Sequence, residues 1–271
     1  MSNNQQPASP LKLNCVITAG GLPQPDEPIY AYTQGQPKAM LDMGGRRMVE
    51  RVIDGLQASP MVGEICVVGL GNTPYPDQLH LARPVHHLPD QGSLVDNVLA
   101  GVRYAHELDP SRPEILLCSG DIPAITGEMV DWFINHCAPF EHDIYYTLLT
   151  RELCEQRYPT SNRTFIKLKD AEIAGGDIFL LHADLADDHY ELWQALTNAR
   201  KHAWRLAWIV GPLTVVKLLL RQLTIAELGQ TASRMLDGRP VKIVLSQYAE
   251  LGMDADKPHQ VELLRADLAP S

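Results

Sequence analysis

Along the first half of the chain, short apolar runs alternate with longer stretches whose apolar positions recur at helical spacing. Leu13 to Thr18, Ile65 to Val68, Val85 to Leu88 and Ile115 to Ser119 read as buried strands, and Met48 to Leu56, Ser93 to Leu108 and Glu128 to His136 as amphipathic helices. Strands and helices alternating in this way predict βαβ units, hence an α/β protein with a mostly parallel central sheet covered by helices on both faces, a three-layer α/β/α sandwich. Ligands of such sheets sit at the carboxyl ends of the strands. Gly20, Asp121 and the turn Asp90-Gln91-Gly92-Ser93 all fall at such ends and are expected to meet in one crevice.

After about residue 140 the rhythm changes. Ile144 to Leu149 and Thr164 to Leu168 read as strands around a polar connection, and Ile178 to His182 as a strand opened by Gly175-Gly176-Asp177. From His189 to Leu236 the pattern is helical. Thr224-Ile225-Ala226-Glu227 is a capping-box sequence for a helix that Gly238 closes, and strand Val241 to Leu245 and a helix from Pro258 to Leu268 follow. The expected divisions are a disordered tail over 1–12, an α/β core over 13–140, further strands with a helical insert over 141–240, and a closing strand and helix that complete the core over 241–271.

Composition narrows the functional classes. With 45% hydrophobic residues among 271 the chain has enough for an ordinary core, and at net charge −10 its scattered basic residues argue against reading DNA or RNA. Five cysteines without a Cys-x-x-Cys pair, three of them in apolar strands, read as buried hydrophobes in a reducing compartment. Together with a polar amino terminus that lacks a signal-peptide core, they place the protein in the cytoplasm. The stretch Leu206 to Leu220 is the most apolar of the chain but too short to span a bilayer, which takes roughly 20 apolar residues. It is expected either in the core or at a homodimer interface, with a surface for a lipid-like substrate as the competing reading. No histidine pair has metal-ligand spacing and no Gly-x-Ser-x-Gly elbow appears.

The candidate chemistry begins where the first strand ends. Ala19-Gly20-Gly21 is a turn without bulky side chains, where backbone N–H groups can approach an anion, and the following loop delivers Lys38 as a point charge for phosphate. A plain turn is the alternative for the glycine pair. The Ala-Gly-Gly turn, Pro37-Lys38-Ala39-Met40-Leu41, the Met43-Gly44-Gly45 turn and the helix start at Arg46 together resemble the amino-terminal signature of nucleotidyltransferases with a glycosyltransferase-A-like (GT-A-like) fold. These include the molybdenum-cofactor guanylyl- and cytidylyltransferases, methylerythritol-phosphate cytidylyltransferase and the sugar-1-phosphate pyrophosphorylases. The loop between Gly21 and Lys38 departs from the signature: it lacks the third glycine and the arginine and carries Asp26 and Glu27 instead, which leaves Arg46 or Arg47 to supply the missing charge.

Two further segments carry the resemblance. Ser119-Gly120-Asp121-Ile122-Pro123 resembles the family's strand-ending Asp-x-Pro, whose aspartate binds magnesium; a cap on the loop before Glu128 is the alternative. Gly252-Met253-Asp254-Ala255-Asp256-Lys257-Pro258 resembles the closing segment in which an acid completes the metal site. Asp254 and Asp256, two apart in extended chain, project to one side, so both are candidate ligands, while Asp256 is also placed to cap the last helix. More loosely, Gln91, Ser93 and Asn97 resemble the loop that contacts base and ribose, although Ser93 with Asp96 is also a plain helix start. Gly175, Gly176 and Asp177 resemble a strand that shapes the acceptor pocket, with a hairpin glycine pair as the alternative.

The resemblance implies a fold of the nucleotide-diphospho-sugar transferase type and Mg2+-dependent transfer of a nucleoside monophosphate from an NTP to a phosphorylated small molecule, with pyrophosphate released. It assigns Lys38 and Asp121 to catalysis, Ala19, Gly20, Gly21, Gln91, Ser93 and Asn97 to the nucleotide, and Asp121, Asp254 and Asp256 to the metal. A glycosyltransferase reading, from the Asp-x-Asp form of Asp254-Ala255-Asp256, and a non-catalytic nucleotide-binding regulator are the alternatives.

Overall fold

In a computed structural model of the protein, which describes residues 11–188, 190, 193 and 210–269, the two-residue alternation of the first strand sorts its side chains between two cores. Cys15 and Ile17 of β1 (Leu13–Thr18) face one cluster and Val16 the other, as expected for a central strand covered on both sides. The chain continues through α1 (Tyr30–Thr33), α2 (Met48–Ala58), β2 (Val62–Gly71), β3 (His86–Pro89), α3 (Leu94–Leu108), β4 (Glu114–Ser119) and α4 (Gly127–Cys137). Val49, Val52, Ile53 and Leu56 of α2 and Val130, Phe133 and Ile134 of α4 cover one face. Val95, Leu99, Val102 and Ala105 of α3 cover the other.

The second half adds β5 (Ile144–Thr150), α5 (Arg151–Arg157), β6 (Ile166–Lys167), β7 (Glu172–His182), α6 (Leu185–Asp188), α7 (Pro212–Leu219), α8 (Ile225–Met235), β8 (Val241–Leu245) and α9 (Pro258–Asp267). All strands join one sheet of order β3-β2-β1-β4-β7-β5-β8, with β6 paired to β7. Pairing is parallel except along β7, which runs antiparallel to both β4 and β5. The mostly parallel three-layer arrangement read from the sequence is therefore the observed one.

Three local expectations change. The polar connection after β5 contains the helix α5, opened by Thr150, whose hydroxyl accepts a hydrogen bond from the Leu153 N–H at 3.3 Å. The strand placed at Thr164 to Leu168 shrinks to the two residues of β6. Gly175 and Gly176 do not open a strand but lie within β7, where they allow close packing. A Cβ on Gly176 would come within 2.8 Å of Thr147, and one on Gly252, in the turn that faces it, within 2.4 Å of Leu149. The capping box is formed as read, Thr224 accepting from the Glu227 N–H and the Glu227 carboxylate accepting from the Thr224 N–H.

Residues 206–209 of the apolar stretch lie outside the described residues, as do 189, 191, 192 and 194–205 of the helical stretch before it and most of the amino-terminal tail. The remainder of the apolar stretch forms α7. Leu218 packs toward Leu148, Leu168, Ile173 and Leu223, whereas Leu213, Val216, Leu219 and Leu220 are exposed, so this face is not part of the core. Among the described residues no helix is long and apolar enough to cross a membrane.

One glycine outside the recognised turns fixes how β1 ends. Gly69 in β2 has φ +111°, and a Cβ there would stand 2.2 Å from the Cα of Gly20. Gly69→Ala is therefore expected to push the Gly20 turn out of place and destabilise the fold by about 1–3 kcal/mol, which a chemical-denaturation curve would measure.

Candidate active site

The carboxyl ends of β1 and β4, the loop before α3, the middle of β7 and the segment before α9 enclose one crevice of about 470 Å³. Its lining includes Ala19, Gly20, Gly21, Lys38, Asp90, Ser93, Asn97, Asp121, Asp177, Asp254 and Asp256. Residues from both ends of the sequence thus converge as the motif reading required. The convergence is enforced by backbone hydrogen bonds: Lys38 N–H donates to the Gly21 carbonyl at 3.1 Å, and Ala255 N–H to the Asp121 carbonyl at 3.2 Å.

Lys38 is the centre of the site. It opens a short 3-10 turn (Lys38–Met40), and its Nζ lies 2.5 Å from Asp121 Oδ2 while also donating to Asp256 Oδ1. Burial alone pulls an ammonium down, but these two carboxylates outweigh it and hold the Lys38 pKa well above its ordinary value. Asp121 is oriented by Ser119, whose hydroxyl donates to Oδ1 at 2.5 Å. It caps nothing: Thr126 caps α4, accepting from the Met129 N–H. Asp256 does not cap the last helix either. The Gln260 side chain takes that role, its Oε1 accepting from the N–H groups of Asp256 and Lys257 at 3.1 and 2.9 Å.

Two carboxylates behind this triad are held at a cost. Burial pushes the Asp254 carboxyl up to about 7, with Asp256 adding to the effect, even though Arg163 donates to Asp254 Oδ1 at 2.8 Å. Burial raises Asp177 well above the ordinary carboxylate range, reinforced by the charges of Asp121 and Asp254, and its buried Oδ2 has no hydrogen-bond partner. Asp256, although partly desolvated, is held below the usual range by Lys38.

Asp177→Asn is accordingly expected to raise the melting temperature, by about 2–4 °C for each kcal/mol recovered. The raised Asp177 pKa means that the unfolded chain releases its proton first as pH rises. Stability tied to this group is therefore complete at acid pH and falls from the ordinary carboxylate range upward. Thermal melts at about pH 5 and pH 8 should show the larger gain at the higher pH.

The residues of the loop before α3 and of its first turn serve the loop as well as the crevice. Asn97 is buried, accepting from the Gln91 N–H at 2.7 Å and donating to Asp90 Oδ1 at 2.7 Å, so its amide braces the loop. A Cβ on Gly20 would come within 3.0 Å of that Asp90 oxygen, whereas one on Gly21 would meet nothing within 4 Å, so only the first glycine of the pair is sterically required. Ser93 lines the crevice and also starts α3, accepting from the Asp96 N–H. Gln91, by contrast, turns its side chain to the Pro89 carbonyl and does not line the crevice, and neither Gly175 nor Gly176 reaches it.

The missing loop arginine is not replaced as expected. Arg46 is committed to Asp54 and the His80 carbonyl and Arg47 to the Met40 carbonyl, outside the crevice. The arginine nearest the acids is Arg163, from the connection between α5 and β6, which also donates to the Gly175 carbonyl at 3.2 Å. Nothing in its sequence surroundings singles it out. Asp90 belongs to the turn Asp90-Gln91-Gly92-Ser93, but only the fold reveals that its carboxylate faces Gly20.

A family described as the MobA-like NTP transferase domain matches residues 15–236. The chain belongs to the MobA-like NTP transferase family. It is thus a nucleotidyltransferase by family, and its MobA-like fold is seen in solved structures. A hypothetical transferase from Thermus thermophilus shares 28% identity, with 93% of this chain and 100% of that one covered and a TM-score of 0.78. CMP:2-keto-3-deoxy-manno-octonic acid synthetase complexed with CTP gives 15% identity, 95% and 98% coverage and a TM-score of 0.58. The 4-diphosphocytidyl-2C-methyl-D-erythritol synthase of Anaerococcus prevotii gives 14% identity, 95% and 96% coverage and 0.55. At such identities these two speak for the fold alone. No curated protein matches the chain.

Proposed function

We propose that this MobA-like protein transfers a nucleoside monophosphate from an NTP to a phosphorylated small molecule, releasing pyrophosphate, with Mg2+ as its cation. The observation that carries the reading is the placement of Lys38 between Asp121 and Asp256 beside the Gly20 turn, at the carboxyl ends of β1 and β4. A phosphate-directed cation, an anion-accommodating turn and a group of carboxylates are the parts that phosphoryl-type transfer needs, since such reactions depend on positioning and electrostatics.

The donor set suits a hard divalent cation. Five carboxylates, those of Asp90, Asp121, Asp177, Asp254 and Asp256, line one crevice, and the buried Asp177 Oδ2 lacks a partner. As the side chains stand, no three His, Cys, Asp or Glu groups among the described residues are arranged to hold a metal ion. Asp121 and Asp256, with Asp254, are the residues that would hold magnesium, and it would neutralise charge on the phosphates. The Gly20-Gly21 turn would cradle the leaving pyrophosphate, and Lys38 would stabilise charge as it develops there. An oxygen of the acceptor phosphate attacks the α-phosphorus in line; its bond to phosphorus forms as the bond from phosphorus to the bridging β-phosphate oxygen breaks. A phosphomonoester with second pKa near 6 is largely a dianion at pH 7 and needs no general base. Ser93 and Asp90 line the same crevice and would lie beside the nucleotide.

A pyrophosphate-release assay over the four NTPs with phosphorylated sugars, polyols, lipid precursors and cofactor precursors tests this reading. Release that needs both one NTP and one acceptor is expected; nucleotide binding without release under every combination would leave a regulator instead. Homodimerisation through the exposed face of α7 belongs to the same reading, and light scattering should then return twice the chain mass. The reaction and the five free, buried cysteines suit the cytoplasm.

A further inference from the structure

The acids of the crevice outnumber its cations, and the one cation among its lining residues stands in an unusual place. Lys38 comes from the loop after β1, yet its ammonium is bound to Asp121 after β4 and to Asp256 before α9. It links two segments that otherwise meet near this point through the Ala255–Asp121 backbone hydrogen bond. The Lys38 side chain is only 18% exposed, so the contact is not an incidental surface pair. Asp177 lines the same crevice as Lys38 and Asp121, yet no donor reaches its buried Oδ2. An oxygen of this kind is costly to bury without a partner.

We propose that Lys38 is a resident counter-ion for the carboxylate cradle, exchanged for a divalent cation when substrate binds, and that the unpartnered Asp177 oxygen is the ligand reserved for that cation. The inference rests on the nucleotidyl-transfer reading of this crevice but concerns the protein before any reaction. A lysine bridging Asp121 and Asp256 and a cation bound by the same two oxygens compete directly. Release of the ammonium from both carboxylates leaves it free to turn toward the phosphates, whose charge replaces the carboxylates as its partner. The exchange keeps the cradle compensated at every stage: by Lys38 without ligands, and by the cation once Lys38 has moved to the nucleotide. Two positive groups crowded among the acids at once would repel, so binding of free cation without nucleotide is expected to be weak.

The test uses Mn2+ alone, followed by electron paramagnetic resonance and calorimetry on the full chain, with no nucleotide or acceptor present. Lys38→Met is expected to bind Mn2+ about tenfold more tightly than wild type or better, because the competitor has gone. Adding Asp177→Asn to it should return most of that gain. Equal Mn2+ affinity in wild type and Lys38→Met would overturn the exchange, and a double variant that keeps the full gain would overturn the role of Asp177. Should Lys38→Met not fold, labelling of the wild-type Lys38 amine with a succinimidyl ester, read by mass spectrometry, replaces it. Labelling must rise across a Mn2+ titration, and an unchanged rate sinks the proposal. Neither readout involves turnover, so failure here leaves the transfer reading standing, and failure of the transfer reading leaves the exchange measurable.

Discussion

Replacing Lys38 with alanine should lower kcat/KM by about a hundredfold to a thousandfold, the range seen when a preorganised group facing developing charge is removed. Its ammonium is among the crevice-lining groups and is kept charged by Asp121 and Asp256. The structure adds a second consequence that the motif alone did not contain. Removing Lys38 leaves Asp121 and Asp256 facing each other and Asp177 without the bridging charge. A loss of stability of about 1–2 kcal/mol should therefore accompany the loss of rate, less than for a fully buried pair because the Asp256 side chain is 58% exposed and solvent screens it. Steady-state kinetics and denaturation curves on the same preparation separate the two effects. Lys38→Arg tests the chemistry of the charge: it should recover stability but little rate, since a planar guanidinium does not replace a compact point charge in this position.

The second large effect is expected at Asp121 and Asp256. Asp121→Asn should cost about a thousandfold in kcat, because that carboxylate is 18% exposed, is aimed by Ser119, and is the one whose backbone carbonyl ties down the closing segment. Asp256→Asn should cost less, about a hundredfold, because its side chain is more exposed and Asp254 lies beside it. In both variants the magnesium concentration for half-maximal rate should rise. The double variant should be little worse than Asp121→Asn alone, as groups that act as a unit are not additive. Magnesium titrations of initial rate measure this directly.

How much of this was legible beforehand follows from the range over which each signal acts. The strand Leu13–Thr18 and the strand Val241–Leu245 were placed to the residue because apolar runs bounded by turn formers are local signals. Gly20, Asp121 and the Asp90–Ser93 turn could be gathered into one crevice because ligands of parallel sheets collect at strand ends, and the family resemblance added Lys38, Asp254 and Asp256 to it. The antiparallel course of β7 could not be read, since nothing in Glu172–His182 states which neighbours it takes. The same holds for its glycines, which were read as a pocket-shaping pair and instead admit Thr147 and Gly252 at close range. Arg163 escaped because a buried arginine is identified by its partner, and Asp254 lies 91 residues away. Arg46 and Arg47 looked available for the opposite reason: only the structure reveals that Asp54 and the Met40 carbonyl already engage them.

The central claim is that this crevice moves the α-phosphoryl group of an NTP, with its nucleoside, onto a phosphorylated acceptor. The most direct measurement supplies the productive NTP labelled in turn at the α- and the γ-phosphorus and follows each label into product. The α-label should appear in the acceptor product and the γ-label in pyrophosphate, both dependent on Lys38 and Asp121. Transfer of the γ-label to the acceptor, or conversion that leaves the triphosphate intact, would contradict the account.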